Sequence, residues 1–218
     1  MRELDACGIG FVADSRGRPS RAIVTAALQG LANVRHRGAV AADDRTSDGT
    51  GILTAIPPAL FGTGTGVATL FLRADARRAV GEAAEAEGLE ILDWRVPPTD
   101  DAVLGELALL SRPEIVQDVY RHRHGAADER AAYRGRDRVR QVARSGVYVA
   151  SCSFRTVVYK GLVAAQHFAE FFLDLADERF EAPFALFHQR FSTNTTPSWE
   201  RAQPFRMLCH NGEINTIA

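Results

Sequence analysis

CGIGFVADSRGRPSRAIVTAALQGLANV, residues 7–34, shows in miniature how this chain is built. Cys7 to Ala13 reads as a short, largely buried strand. It ends in Ser15-Arg16-Gly17-Arg18-Pro19, a run of turn-forming residues. Ser20 stands where a helix N-cap belongs, and Ile23, Val24, Ala27, Leu28, Leu31 and Val34 recur at helical spacing behind it. One helix is therefore expected to about Arg35. Outward from there, HRGAVAADDRTSDGTG (residues 36–51) reads as a loop. Ile52 to Ile56 and Val67 to Leu72 read as strands, with GTGTG (residues 62–66) between them as a flexible hairpin connection. That glycine run lacks the GxGxxG spacing of a phosphate cradle.

The rest of the chain keeps interspersing the two element types. A helix is expected from Asp75 to Glu87, stopped by Gly88, and a strand from Leu89 to Val96. A helix–strand unit fits Ala102 to Val119. VYVAS and FRTVVYKG read as adjacent strands joined by a tight connection. Gln166 to Leu175 reads as helix, with Phe168, Phe171, Phe172 and Leu175 on one face, and Ala185 to Phe191 and Phe205 to His210 as closing strands. Strands outnumber helices without regular βαβ alternation, so the fold class is α+β.

Composition narrows the function. The chain has 218 residues, 46% hydrophobic and 24% charged, with a formal net charge of −1. This is ordinary globular material, and the charge removes a whole-chain electrostatic case for nucleic acid or an anionic membrane. No apolar stretch approaches the roughly 20 residues that span a bilayer, and Met1 to Ala6 is too short and polar for a secretory signal. A cytoplasmic setting with no membrane partner follows. Cys7, Cys152 and Cys209 lie far apart, which argues against a disulfide framework or a zinc ribbon. Basic character rests on arginine, with Lys160 the single lysine. Eight arginines fall between Arg121 and Arg144, with one aromatic, Tyr133, and no nucleic-acid motif among them. A solvated helix or a surface docked on another domain is expected there, and no nucleic-acid partner.

The six histidines form no HExxH or other paired ligand motif, so no metal is expected. GxxxxGK[ST] and GxSxG are absent too. Polar residues gather instead around Cys7, in His36-Arg37-Gly38, in RFSTNTTPSW (residues 190–199) and in HNGEIN (residues 210–215). Taken in order, ACGIGF, HRG with its DGTGIL loop, HQRFSTNTTPSW and CHNGEINT resemble the class II glutamine amidotransferase domain of the glutamate synthase large subunit. VASCSFRTVVYKG resembles the same subgroup. The likeness covers nearly the whole chain and implies an N-terminal-nucleophile hydrolase fold, an αββα sandwich, here incomplete.

The residues suit that chemistry. Amide hydrolysis needs a nucleophile, a base, an oxyanion hole and a substrate clamp. Cys7 supplies a thiol, which is a poor thiolate source at neutral pH without a base. The resemblance implies that the base is the α-amine of Cys7 itself, with residues 1–6 a propeptide and 7–218 the front part of the domain. A cysteine merely packed at a strand start is the alternative. Asn211 and Gly212 offer a side-chain amide and a backbone N–H to an oxyanion, although Asn-Gly is also a common hairpin turn. By resemblance Arg190 clamps the glutamine α-carboxylate, Thr193 assists, and Arg37 sits beside the nucleophile. Arg190 bracing its own loop and Arg37 offsetting a helix dipole are the alternatives. Trp199 reads as loop packing, and Cys152 and Cys209 as small apolar fillers.

The resemblance implies no cofactor for the glutaminase half, and FMN and an iron–sulfur cluster in a synthase part beyond this chain. The partners it implies are glutamine and a synthase domain or chain carrying a 2-oxoglutarate site. It also implies an acidic residue past the NGE motif for the glutamine α-ammonium. Without that residue and later strands, 218 residues alone are expected to show little glutaminase activity and to associate. A non-catalytic interaction or regulatory module is the rival reading.

Overall fold

The computed structural model describes residues 8–143, 146–190 and 196–206. In chain order these residues form strand β1 (Gly8–Ala13), helix α1 (Arg21–Asn33), strand β2 (Thr46–Ala55), the single turn α2 (Pro58–Phe61), strand β3 (Gly66–Leu72) and helix α3 (Arg77–Ala86). Strand β4 (Leu89–Arg95), the short helix α4 (Glu106–Leu110), strand β5 (Glu114–His122) and helix α5 (Glu129–Ala143) follow. Strands β6 (Val147–Ser153) and β7 (Thr156–Val163), the turn α6 (Phe168–Phe171) and strand β8 (Phe184–Gln189) complete the set. No helix among the described residues is long and apolar enough to cross a membrane.

The chain divides into two compact units. The first comprises residues 1–54, 98–112 and 159–218. Its sheet has the order β1-β8-β2-β7, and β8 runs antiparallel to both β1 and β2. Helix α1 buries Val24, Ala27 and Leu31, residues three and four apart on one stripe, as the spacing predicts. Ser20 stands at the N-cap position, although its side chain makes no capping hydrogen bond. The expected helix over 166–175 is broken into α6 flanked by 3₁₀ turns. Its four apolar residues are nonetheless all buried. Packing of this aromatic cluster decides the segment, and Phe168, Phe171 and Phe172 meet edge to face.

The second unit comprises residues 55–97 and 113–158, with an antiparallel sheet of order β4-β5-β3-β6. Helices α3 and α5 cover one face. Val80, Ala83 and Ala84 of α3 and Ala131, Ala132 and Val139 of α5 join Ala68, Leu70, Val116 and Val149 in one core. Gly88 takes φ +76°, the left-handed conformation that ends α3 where the sequence places its stop. The arginine-rich run becomes α5 and its approach. Arg134 and Arg138 both reach Glu87, at 2.7 and 2.6 Å, and Arg121 pairs with Glu90 at 2.9 Å. Arg134 and Arg138 thus serve a solvated face of α5, while Arg121 lies on β5.

Three expectations are corrected. Residues 46–51 are strand, the first half of β2, because their polar groups find partners inside the sheet. Ser47 donates to Val163 O at 2.8 Å and Thr50 to Gln189 Oε1 at 2.8 Å. GTGTG does not close a hairpin, since β2 and β3 belong to different sheets and α2 intervenes. Strands β6 and β7 likewise lie in different sheets, so the short turn between them marks a change of sheet. The expected strand Phe205 to His210 falls almost wholly outside the described residues. The two of its residues within them, Phe205 and Arg206, are not in a strand.

Candidate active site

Strand register assembles the site. Gln189, the last residue of β8, pairs with Gly8 on one side and Thr50 on the other. Gly8 follows Cys7 directly and Gln189 precedes Arg190 directly. An antiparallel pairing thus brings the start of β1 beside the end of β8. Thr50 Oγ1 locks the Gln189 side chain by its hydrogen bond to Oε1, and Gly38 packs against the Gln189 amide so tightly that a Cβ would overlap it. Arg37 is placed by the same packing. It ends a 3₁₀ turn after α1, and a Cβ on Gly8 would meet Val34 and Arg37. The structure therefore gathers Arg37 and Arg190 around Gly8.

Arg190 leaves the strand in an unusual conformation. Its φ is +80°, a region costly for a residue with a side chain, and its N–H donates to Gly49 O at 2.7 Å. Its guanidinium Nε lies 3.4 Å from Asp48 Oδ2. Burial pushes the Asp48 carboxyl up from its ordinary value, against the Ala39 backbone and the Arg190 charge, which pull it down. His188, the neighbour of Gln189 on β8, is 4% exposed, and burial pushes it down to about 4. It is a neutral imidazole at physiological pH.

A platform forms beside this row. Trp199 is fully buried and donates its Nε1–H to Ala108 O at 3.1 Å. Its ring occupies the space over Gly161 of β7, where a Cβ would collide with it. Lys160, the single lysine, is fully buried, donates to Glu200 O at 2.8 Å and lies 4.6 Å from the centre of the Phe205 ring. Trp199, Glu200 and Phe205 are thereby packed onto β7, in keeping with the packing role expected of Trp199. Cys152 is a buried residue of the second unit, as a filler should be. Its thiol, pushed up to about 12 by burial, lies 3.3 Å from Tyr120 OH. Cys7, Thr193, Asn211, Gly212 and Cys209 lie outside the described residues.

Sequence reasoning missed Asp48, Thr50 and Gln189 as site residues. The signal was there for the first two, since DGTGIL was singled out, but the polar run reads as loop until its partners across the sheet are known. Gln189 carried no separate signal within HQRF.

The sequence matches the family described as Glutamine amidotransferases class-II over residues 7–218. It is 40% identical over 241 residues to the glutamate synthase [NADPH] large chain of Azospirillum brasilense, covering 99% of this chain and 16% of that protein. It is 40% identical to ferredoxin-dependent glutamate synthase 2 of Synechocystis, over 100% of this chain and 15% of that one. The chloroplastic ferredoxin-dependent glutamate synthase of Oryza sativa is 38% identical, with the same coverage. The chain thus spans about one-sixth of the length of these relatives. With residues 7–218 matched from end to end, the chain belongs to the class-II glutamine amidotransferases.

Proposed function

We propose that this chain is the glutaminase domain of a glutamate synthase, hydrolysing glutamine to glutamate and ammonia. The observation that supports the reading is the pairing of Gly8, which follows Cys7 in the sequence, with Gln189, which precedes Arg190. An N-terminal-nucleophile αββα sandwich is the proposed architecture, and the two antiparallel sheets support it.

In the proposed mechanism the α-amine of a mature N-terminal Cys7 takes the thiol proton. Its pKa of about 7.7–8.0 suits neutral pH far better than a lysine near 10.4. The thiolate attacks the side-chain amide carbon of glutamine, forming a C–S bond, and the amide oxygen becomes an oxyanion. Asn211 and the Gly212 N–H receive that charge. As the tetrahedral intermediate collapses, the C–N bond breaks and the α-ammonium returns its proton to the departing ammonia. Water, activated by the freed amine, then cleaves the thioester and glutamate leaves. Arg190 grips the substrate α-carboxylate with help from Thr193, and Arg37 orders the neighbourhood of the nucleophile. The glutaminase step uses no cofactor. Ammonia passes to a synthase part of the protein for amination of 2-oxoglutarate, with FMN and an iron–sulfur cluster there. A reducing cytoplasm suits the free thiol.

The N-terminus provides the test. While Ala6 remains attached, the Cys7 nitrogen is an amide and has no basic lone pair to offer. Active protein should therefore begin at Cys7 by intact-mass analysis, and Cys7→Ala should abolish glutamate release. Turnover by material that retains residues 1–6 would refute the mechanism.

A further inference from the structure

We propose that Asp48 is the positioning residue of the substrate clamp, its carboxylate paired by charge with the Arg190 guanidinium so that the arginine is turned toward the glutamine α-carboxylate. The proposal rests on the reading of Arg190 as that clamp and deepens it. Asp48 is a buried carboxylate, and a buried charge is retained only where a partner compensates it. The Ala39 backbone supplies one polar partner, and the nearby hydroxyls of Ser47 and Thr50 are used elsewhere. Ser47 donates to Val163 O and Thr50 to Gln189 Oε1. The cation facing Asp48 is the Arg190 guanidinium, 3.4 Å away.

The dipeptide Asp48-Gly49 grips Arg190 at two points. Gly49 O accepts the Arg190 N–H at 2.7 Å, fixing a backbone that sits at φ +80°, and Asp48 attracts the side chain by charge across 3.4 Å. An arginine has many rotamers, and a clamp loses affinity when they must be frozen at the moment of binding. Anchoring at both ends freezes them beforehand. The contact at Nε is an ion pair without a hydrogen bond, so it biases the side chain by charge, and a guanidinium has the bidentate geometry that matches a carboxylate. Within the pair, the Arg190 side chain is 18% exposed and that of Asp48 8%, so the cation is the member turned toward solvent. A positioning role also explains why an anion sits behind an anion-binding residue. Its negative charge subtracts from the attraction, so its contribution is orientation.

The test uses the full-length protein with its mature N-terminus. Asp48→Asn keeps the shape and removes the charge. It should raise the KM for glutamine about tenfold and leave kcat within about twofold, the signature of a contact held equally in ground and transition states. Arg190→Ala should raise KM by itself, and adding Asp48→Asn to it should change KM by less than about twofold, since the pair acts as one unit. Toward glutamine α-amide, which lacks the carboxylate, wild type and Asp48→Asn should be equal. Damage to the fold would instead lower kcat, add to the Arg190→Ala loss and slow both substrates. Those outcomes, or an unchanged KM in Asp48→Asn beside a raised one in Arg190→Ala, would overturn the role of Asp48 alone. An unchanged KM in Arg190→Ala would overturn the clamp reading itself.

Discussion

Arg190 and Asn211 are proposed to act at different stages of one reaction, and kinetics can separate them. A carboxylate clamp holds the substrate before and during bond making, whereas an oxyanion donor gains strength only as charge develops. Arg190→Ala is expected to weaken glutamine binding by roughly ten- to hundredfold, because a charged hydrogen bond is worth about 1.5–3 kcal/mol. Its kcat should stay close to wild type. Asn211→Ala should lower kcat by about 10²–10³ with little change in KM. Steady-state glutaminase kinetics on the two variants would expose an error as a reversed pattern. Both residues were legible in the sequence, because RFSTNTTPSW and HNGEIN are dense in polar groups that a plain core has no use for. Asp48 was not, since a carboxylate beside glycine looks like a turn until Arg190 is found across the sheet.

Among the elements, β7 carries the platform on which Trp199, Glu200 and Phe205 rest. Gly161 is there because the Trp199 ring fills the place of a side chain. Gly161→Ala should force that ring aside and cost roughly 1–3 kcal/mol, the usual scale for overpacking. Thermal melting and a changed Trp199 fluorescence would register it, together with a raised glutamine KM. Helix α5 offers a contrast. Glu87 accepts from both Arg134 and Arg138, which together hold its carboxyl below the ordinary value. These arginines are about half exposed, so solvent screens the pairs. Glu87→Gln should therefore leave the melting temperature nearly unchanged. Helices α1 and α3 could be read from their apolar spacing, since one face alone is buried. The broken helix around α6 could not, because its apolar residues are buried by an aromatic cluster whatever the local backbone does.

At the scale of the whole molecule, the buried Asp118 and His188 respond to pH in opposite directions. Asp118 in β5 is 2% exposed, and burial pushes it up to about 8. Its Oδ1 has no hydrogen-bond partner among the described residues, and it lines a cavity of about 20 Å³ with Tyr120 and Cys152, room for about one water. The fold keeps this carboxyl neutral while the unfolded chain ionises near 3.8, so its contribution is complete below that value and is lost as pH rises to about 8. His188 behaves in reverse. The unfolded chain protonates it near 6.5 and the fold resists until about 4, so its contribution is complete above 6.5 and is lost as pH falls toward 4. Between pH 4 and 6.5 the two trends oppose each other. From 6.5 to 8 the His188 contribution no longer changes, and Asp118 should lower stability by about 2 kcal/mol at 1.36 kcal/mol per unit. Asp118→Asn should remove this slope, so its gain in melting temperature over wild type should be largest at pH 8. An equal gain at pH 5 and pH 8 would show that Asp118 is not held neutral.

The sequence by itself determined the element types, the mixed class, the family and the residues proposed for chemistry. Periodicity, turn residues and motif spacing are local properties, written where they act. Tertiary structure decided how the strands are shared between two sheets. It made a strand of the polar run Thr46 to Gly51 and set Gly8, Gln189 and Thr50 in one row. Those outcomes depend on hydrogen bonds between residues more than a hundred positions apart, such as Ser47 to Val163 and Thr50 to Gln189. A polar residue in isolation favours water and a loop. It enters a sheet only when the fold supplies a partner, and that partner is visible in space and not along the chain.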